Sequence, residues 1–177
     1  MIATSFLIIV LVSLSAEAFS PLHRGESRLF LDTADTNEWD KLLSTGIFHG
    51  VTTNPTLLER AGEECTIDNL HQMARKALQV TDEFMCQAWG SNTSSMYECG
   101  MALSAPSRDR IVIKVPVTRN GVEAASRLIQ AGCRVCLTAC YNHQQALIAS
   151  SVGAEYLGNK FSINIVISSA YCGNSLF

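Results

Sequence analysis

"RIVIKVPV", residues Arg110 to Val117, sets one lysine among four β-branched residues, Ile111, Val112, Ile113 and Val115, with a proline following. A continuous run of this kind predicts a strand buried on both faces. Lys114 is costly in such a strand unless its amine has a task. The segments on either side say what kind of sheet the strand belongs to.

Upstream, from Arg28, apolar strands alternate with amphipathic helices. "RLFLDT" predicts a short strand ending at Asp32, and "DTNEWDKLLSTG" a helix capped by Asp35, faced by Trp39, Leu42 and Leu43, and stopped by Gly46. "HGVTTNP" predicts a second strand, with Asn54 and Pro55 as N-cap and first residue of a short helix. "TIDNLHQMARKAL" places Ile67, Leu70, Met73, Ala77 and Leu78 on one helical face. Strand "FMCQA" (Phe84 to Ala88) and a helix from about Ser91 to Leu103 precede the lysine strand. Downstream come helix "NGVEAASRLIQAG", with a box-like Asn120 to Glu123 start and Gly132 as its stop, and strand "RVCLTA". Helix "NHQQALIASSVG" follows, with Asn142 and Gln145 placed to cap it, and "GAEYL" begins a sixth strand.

Six strands and five helical stretches in alternation predict a parallel α/β protein, a TIM barrel or a doubly wound sheet. No G-x-G-x-x-G or Walker A pattern follows the first strand, which argues against a nucleotide-binding sheet. In a barrel, polar residues at the C-terminal strand ends form the active site. Those ends carry Asp32, Thr52 to Asn54, Gln87, Lys114 and Thr138, from five strands that would converge on one mouth. Burial disfavours an ammonium, so Lys114 in an apolar interior is expected to have a lowered pKa. A neutral amine attacks a carbonyl and forms a Schiff base, whose iminium draws electrons from a neighbouring carbon–carbon bond without a metal. Asp32 can move protons, and Thr138, Gln87 and Asn54 can hold water or sugar hydroxyls. The alternative is structural: Lys114 snorkels from the strand end or pairs with Asp32.

"FLDTAD", "GVTTNPTLL", "IVIKVPVT" and "GAEYL", in this order and spacing over about Arg28 to Leu157, resemble the transaldolase family, in its short branch with the fructose-6-phosphate aldolases. The resemblance implies a class I aldolase (β/α)8 TIM barrel without metal or cofactor. It implies sugar-phosphate (pentose phosphate) metabolism, with a dihydroxyacetone unit transferred or cleaved. By the same resemblance Lys114 matches the Schiff-base lysine, Asp32 the acid–base aspartate, and Thr52 and Asn54 substrate-lining residues. Thr138 matches the threonine near the catalytic water. Gln87 stands where transaldolases of the family carry glutamate and the aldolases glutamine. A neutral amide cannot take a proton from water as a carboxylate can. By the resemblance, Gln87 leans toward direct aldol cleavage or addition of dihydroxyacetone rather than transfer between two sugars.

The resemblance stops after Leu157. The family continues with an "APY"-like stretch and an arginine, whereas this chain reads "GNKFSINIVISSAYCGNSLF", with Lys160 where the tyrosine would fall. About six of eight βα units are therefore expected, since a full barrel needs at least about 200 residues. "FSINIVIS" could pair as a seventh strand. Two unpaired strand edges, poor folding and aggregation are expected of such a barrel. Residues 158–177 read as a non-family tail, by translated intron (Gly158-Asn159 can be encoded with a GTAA splice-donor start) or as a short isoform. An inactive fragment is the alternative to an enzyme, and a homo-oligomer is expected only of the full-length form.

The other end carries "FLIIVLVSLSA", Phe6 to Ala16, an uncharged run of h-region length, followed by a small-x-small site at Ala16 to Ala18. Residues 1–18 read as a signal peptide and 19–27 as a short transit-like leader. Phe19 after the cut resembles the two-part leaders of complex algal plastids; the alternative is simple secretion. No membrane association is expected after leader removal. A net charge of −3 over 177 residues, with no basic block, gives no support to nucleic-acid binding. Seven irregularly spaced cysteines are not a disulfide framework and suit a reducing compartment. Asn92-Thr93-Ser94 is a glycosylation sequon, relevant only if the chain is secreted. Cys133, Cys136, Cys140 and His143 have zinc-like spacing, but a strand through Val135 to Ala139 would hold the outer two cysteines about 20 Å apart. His49, His71 and Trp89 read as structural or surface residues.

Overall fold

The computed structural model describes residues 8–13, 27–158 and 164–166. Eight strands, β1 Ile8–Ser13, β2 Ser27–Asp32, β3 Gly50–Thr52, β4 Glu83–Gln87, β5 Ile111–Pro116, β6 Arg134–Thr138, β7 Tyr156–Leu157 and β8 Asn164–Val166, close into one ring in chain order. Strands β2 to β7 are all parallel, each joined to the next through helix. The helices are α1 Thr36–Leu42, α2 Pro55–Ala61, α3 Ile67–Ala77, α4 Thr93–Ser104, α5 Arg119–Gln130 and α6 His143–Ser151. This is an incomplete (β/α)8 TIM barrel with six parallel strands, as expected.

The two remaining places are filled differently. β1 runs antiparallel to β2, β8 runs antiparallel to β7, and the two pair with each other in parallel. The expectation of two unpaired edges is thus corrected. Ile8–Ser13, from within the Phe6–Ala16 run, covers one edge, and Asn164–Val166, from "FSINIVIS", covers the other. Backbone groups left unpaired at a sheet edge favour any strand that can reach them. The Ala16–Ala18 site, Phe19, the segment 19–26, Lys160 and the tail beyond Val166 lie outside the described residues.

Alternation along the strands produces two apolar layers. Leu31, Val51, Phe84, Cys86, Ile111, Ile113, Val115, Val135 and Leu137 face outward into a core shared with Trp39, Leu58, Leu70, Met73, Leu103 and Leu128 of the helices. Phe30, Met85, Val112, Cys136 and Tyr156 face inward and fill the lumen. Trp39 meets Phe84 edge-on at 6.2 Å and donates its indole N–H to Thr33 O at 3.1 Å, satisfying its one polar atom.

Local capping follows the sequence closely. Asp35 caps α1, Asn54 caps α2 with Pro55 in the first turn, Thr66 caps α3, and Asn142 caps α6. Gln145 completes the last of these, its Oε1 accepting from Tyr141 N–H at 2.6 Å. One expectation is corrected: α5 is capped by Thr118, which accepts from Gly121 N–H at 3.1 Å, rather than by Asn120. Glu123 pairs with Arg127 one turn on, at 2.6 Å, instead of closing a box.

Candidate active site

Lys114 is the fourth residue of β5. Its neighbours Ile113 and Val115 are fully buried in the outer core, so alternation turns the lysine into the lumen. Its Nζ donates to Thr52 Oγ1 at 2.8 Å and to Thr53 O at 3.2 Å. Thr52 is almost completely buried and ends β3. The lysine therefore reaches across the width of β4, which lies between its own strand and β3.

Asp32 ends β2 and is the register partner of Thr52. Its Oδ1 is buried and accepts no hydrogen bond. Burial raises its carboxyl above the usual aspartate value, and the nearby charge of Lys114 opposes the rise. Gln87 ends β4 and is the register partner of Lys114. Thr138 ends β6 opposite Pro116, two residues beyond Lys114. Asp32, Thr52, Gln87, Lys114 and Thr138 thus share the C-terminal end of the parallel strands.

Asn54 has a structural task as well. Its Oδ1 accepts from Leu57 N–H at 3.1 Å at the start of α2, which leaves the side-chain amide N–H groups for a ligand.

Two groups at this end escape a motif-based reading. Thr53 supplies the carbonyl under Lys114 Nζ, and its own Oγ1 is buried without a partner. Cys136 is the register partner of Lys114 on β6 and faces the lumen. Burial pushes its thiol up to about 12, against the opposing charge of Lys114. Strand parity alone would have found Cys136, because it shares the parity of Thr138. Cys133 and Cys140 lie in the outer core, on the other side of the sheet from Cys136. The three thiols of the zinc-like spacing are divided between two faces.

The opposite end of the lumen is ionic. Glu83 accepts from Arg134 at 2.6 Å, Arg28 at 3.2 Å and the Tyr156 hydroxyl at 2.7 Å, and His49 Nε2 lies 3.2 Å away. Arg134 also pairs with Glu155, and Arg28 with Tyr156. Burial pushes the Glu83 carboxyl up, but hydrogen bonds from Tyr156 and Arg134 and the nearby His49 ring outweigh it and hold the group down at about 2. His49 thus has a structural setting, and so has His71, whose Nε2 is 2.9 Å from Ala102 O. The apolar layer of Phe30, Met85, Val112, Cys136 and Tyr156 lies between the ionic end and the Lys114 end.

Comparison with known proteins identifies the family. The profile of the Transaldolase/Fructose-6-phosphate aldolase family matches residues 29–158. A probable transaldolase of Chelativorans sp. (strain BNC1) is 33% identical over 131 residues, 73% of this chain and 58% of the relative. Probable transaldolases of Pelotomaculum thermopropionicum and Brucella ovis are each 34% identical, over 131 and 137 residues, with the same coverage of 73% and 58%. The chain spans somewhat over half the length of these curated relatives. The matched span takes in β2 from its third residue, the other five parallel strands whole and every residue of the Lys114 cluster, and by it the chain belongs to the transaldolase/fructose-6-phosphate aldolase family.

Proposed function

We propose that the protein is a class I aldolase or transaldolase that transfers or cleaves a dihydroxyacetone unit of a sugar phosphate through a Schiff base on Lys114. The observation that carries this reading is the placement of Lys114 Nζ. It is inside the lumen, held by Thr52 Oγ1 and Thr53 O, within electrostatic reach of a buried, unpartnered carboxyl oxygen of Asp32. In the reaction, Lys114 gives up a proton and its amine attacks the ketose carbonyl. Loss of water leaves an iminium. The Asp32 carboxylate takes the proton of the hydroxyl on the far side of the scissile bond. As that bond breaks, its electron pair enters the iminium, an aldehyde leaves and an enamine remains on Lys114. Return of the Asp32 proton to its carbon and addition of water to the restored iminium release dihydroxyacetone and the amine. A carboxyl whose affinity for protons is raised by burial suits this task better than a solvated one. Gln87, Asn54 and Thr138 hold hydroxyls or water.

Gln87 stands where the aldolases of the family carry glutamine and its transaldolases glutamate, and by that resemblance release of dihydroxyacetone is favoured over transfer to a second sugar. The setting we infer is pentose phosphate metabolism in a plastid reached through a secretory-type leader, with simple secretion as the alternative. Sugar phosphates are its small-molecule partners. Leader removal would take β1 from the edge of β2, the strand that ends in Asp32.

Purified chain is assayed for cleavage of fructose 6-phosphate and, separately, for transfer of its dihydroxyacetone unit to an acceptor aldose phosphate. Cleavage that disappears in Lys114→Ala supports the reading, and absence of both activities in folded protein overturns it. Transfer faster than cleavage would reassign the enzyme as a transaldolase and remove the inference from Gln87.

A further inference from the structure

The strand that closes the ring against β2 does not come from a βα unit. β1 is drawn from the uncharged stretch "IIVLVS", in which Ile8, Ile9, Val10 and Val12 are β-branched. Such residues favour a strand wherever a partner edge is within reach. β1 runs antiparallel to β2, in register from Ile8 with Leu31 to Val12 with Ser27. Its other edge meets β8, with Leu11 opposite Asn164 and Ser13 opposite Val166. Among the described strands, only β1 lies on that side of β2; β3 lies on the other.

The direction of β1 ties it to the site. Antiparallel pairing puts Ile8, where β1 begins, opposite Leu31, and the next residue of β2 is Asp32. β1 therefore covers β2 up to the residue before the carboxyl. The backbone groups of β2 are divided between its two neighbours. Leu29 O accepts from His49 N–H at 2.8 Å, directly before β3, so Leu29 and, by alternation, Leu31 turn their backbone groups toward β3. Arg28 and Phe30 turn theirs toward β1, where their register partners are Leu11 and Ile9. With β1 gone, the N–H and C=O groups of Arg28 and Phe30 have no described strand to pair with.

The same residues read in sequence as part of a leader, and the two fates exclude each other: a leader is removed, whereas a closing strand must stay. We propose that Ile8–Ser13 is a removable strap. While attached it closes the ring and fixes β2; cleavage after Ala18 opens the β2 edge beside Asp32 and lets that strand fray. The strap stands apart from the Schiff-base reading, and only its removal rests on the leader reading. Hydrogen exchange is followed residue by residue in the full chain, in the full chain carrying Ile9→Pro, and in a chain beginning at Phe19, which stands for the cleaved form. All three are compared at a concentration where they sediment as monomers. Proline at position 9 removes the N–H that faces Phe30. The Arg28 and Phe30 amides are expected to exchange about tenfold faster, or more, in both variants than in the full chain. In Ile9→Pro, Leu31 changes less than Phe30 one residue away, and Ile113 and Val115 of β5 keep their protection. Arg28 and Phe30 amides as protected in either variant as in the full chain overturn the strap. So does equal acceleration of Phe30, Leu31 and Ile113 in Ile9→Pro, because a strap acts on one edge and general destabilisation does not. The intact mass of chain made in a secretory host tests the leader reading separately. A product beginning at Phe19 supports release, and an uncut chain overturns the release while the strap stands.

Discussion

Lys114 Nζ and Thr52 Oγ1 are 2.8 Å apart, although their strands are not neighbours: β4 lies between them. Thr52 is in turn the register partner of Asp32. The three residues connect β2, β3 and β5 across the lumen, and Thr52 Oγ1 and Thr53 O hold the amine before any substrate arrives. Preorganisation of this kind removes a reorganisation step from the reaction.

Thr52→Val keeps the shape of the side chain and removes the acceptor. Nζ then retains only the Thr53 carbonyl. The rate of adduct formation at Lys114 is expected to fall about tenfold, equivalent to ~1.4 kcal/mol and of the order of one hydrogen bond from a charged donor. Stopped or quenched borohydride trapping reads the rate directly. An unchanged rate would show that the hydroxyl does not position the amine.

Asp32 links activity to stability in opposite senses. Its folded-state pKa lies above the ordinary 3.8, so the native protein holds this proton more tightly than the unfolded chain does. The group's contribution to stability is most favourable at low pH and declines as pH rises from the unfolded value through the raised folded one. Asp32→Asn escapes that decline. It is expected to melt above wild type at pH 7, with the difference closing below about pH 4. The same variant should lose about 10²–10⁴ in carbon–carbon bond cleavage while still forming the iminium. A lower melting temperature at pH 7 would contradict the burial argument.

Glu83, at the ionic end, has the reverse sign. Burial opposes its ionisation, but His49, Tyr156 and Arg134 hold its pKa down at about 2. Its stabilisation is fully present above the unfolded value near 4.3 and is lost as pH falls toward 2. Glu83→Gln leaves the half-buried Arg134 with Glu155 as its one carboxylate partner and is expected to cost about 3 kcal/mol at pH 7. The gap from wild type should narrow steadily in denaturant titrations below pH 4. A pH-independent gap would mean that packing, not charge, is what the mutation removes.

Gly121 admits no side chain for a simple reason: a Cβ there would lie 2.0 Å from Pro116 O. Gly121→Ala must push α5 off the end of β5, two residues from Lys114. We expect a loss of about 2 kcal/mol, read as a lower melting temperature. Melting like wild type would show that the β5–α5 junction is slack.

Much of this was legible in the chain itself. The β-branched run around Lys114 announced a buried strand. Asp35, Asn54 and Asn142 sit at helix starts because short polar side chains satisfy free N–H groups there. Asp32, Thr52, Gln87, Lys114 and Thr138 fall at strand ends by alternation. The misses have a common cause: they depend on partners distant in sequence. Arg28, Glu83, Arg134 and Tyr156 meet only when the ring closes, and no local pattern marks them. The pairing of Ile8–Ser13 with Ser27–Asp32 requires knowing that the β2 edge is open. Asn120 looked like a cap because of Glu123, but Gly121 against Pro116 O fixes where α5 begins, and Thr118 takes the role. The left-handed backbone at Ala139, with φ of 61°, leaves no trace in composition, since alanine is an ordinary residue until its φ is seen.

The central claim is that Lys114 forms a covalent Schiff base with a ketose. Full-length protein is incubated with fructose 6-phosphate, reduced with borohydride and mapped by peptide mass spectrometry, beside a Lys114→Met control. The account predicts one stable adduct, on the peptide containing Lys114, absent from the control. Folded wild-type protein without an adduct, or an adduct that persists in Lys114→Met, would contradict it.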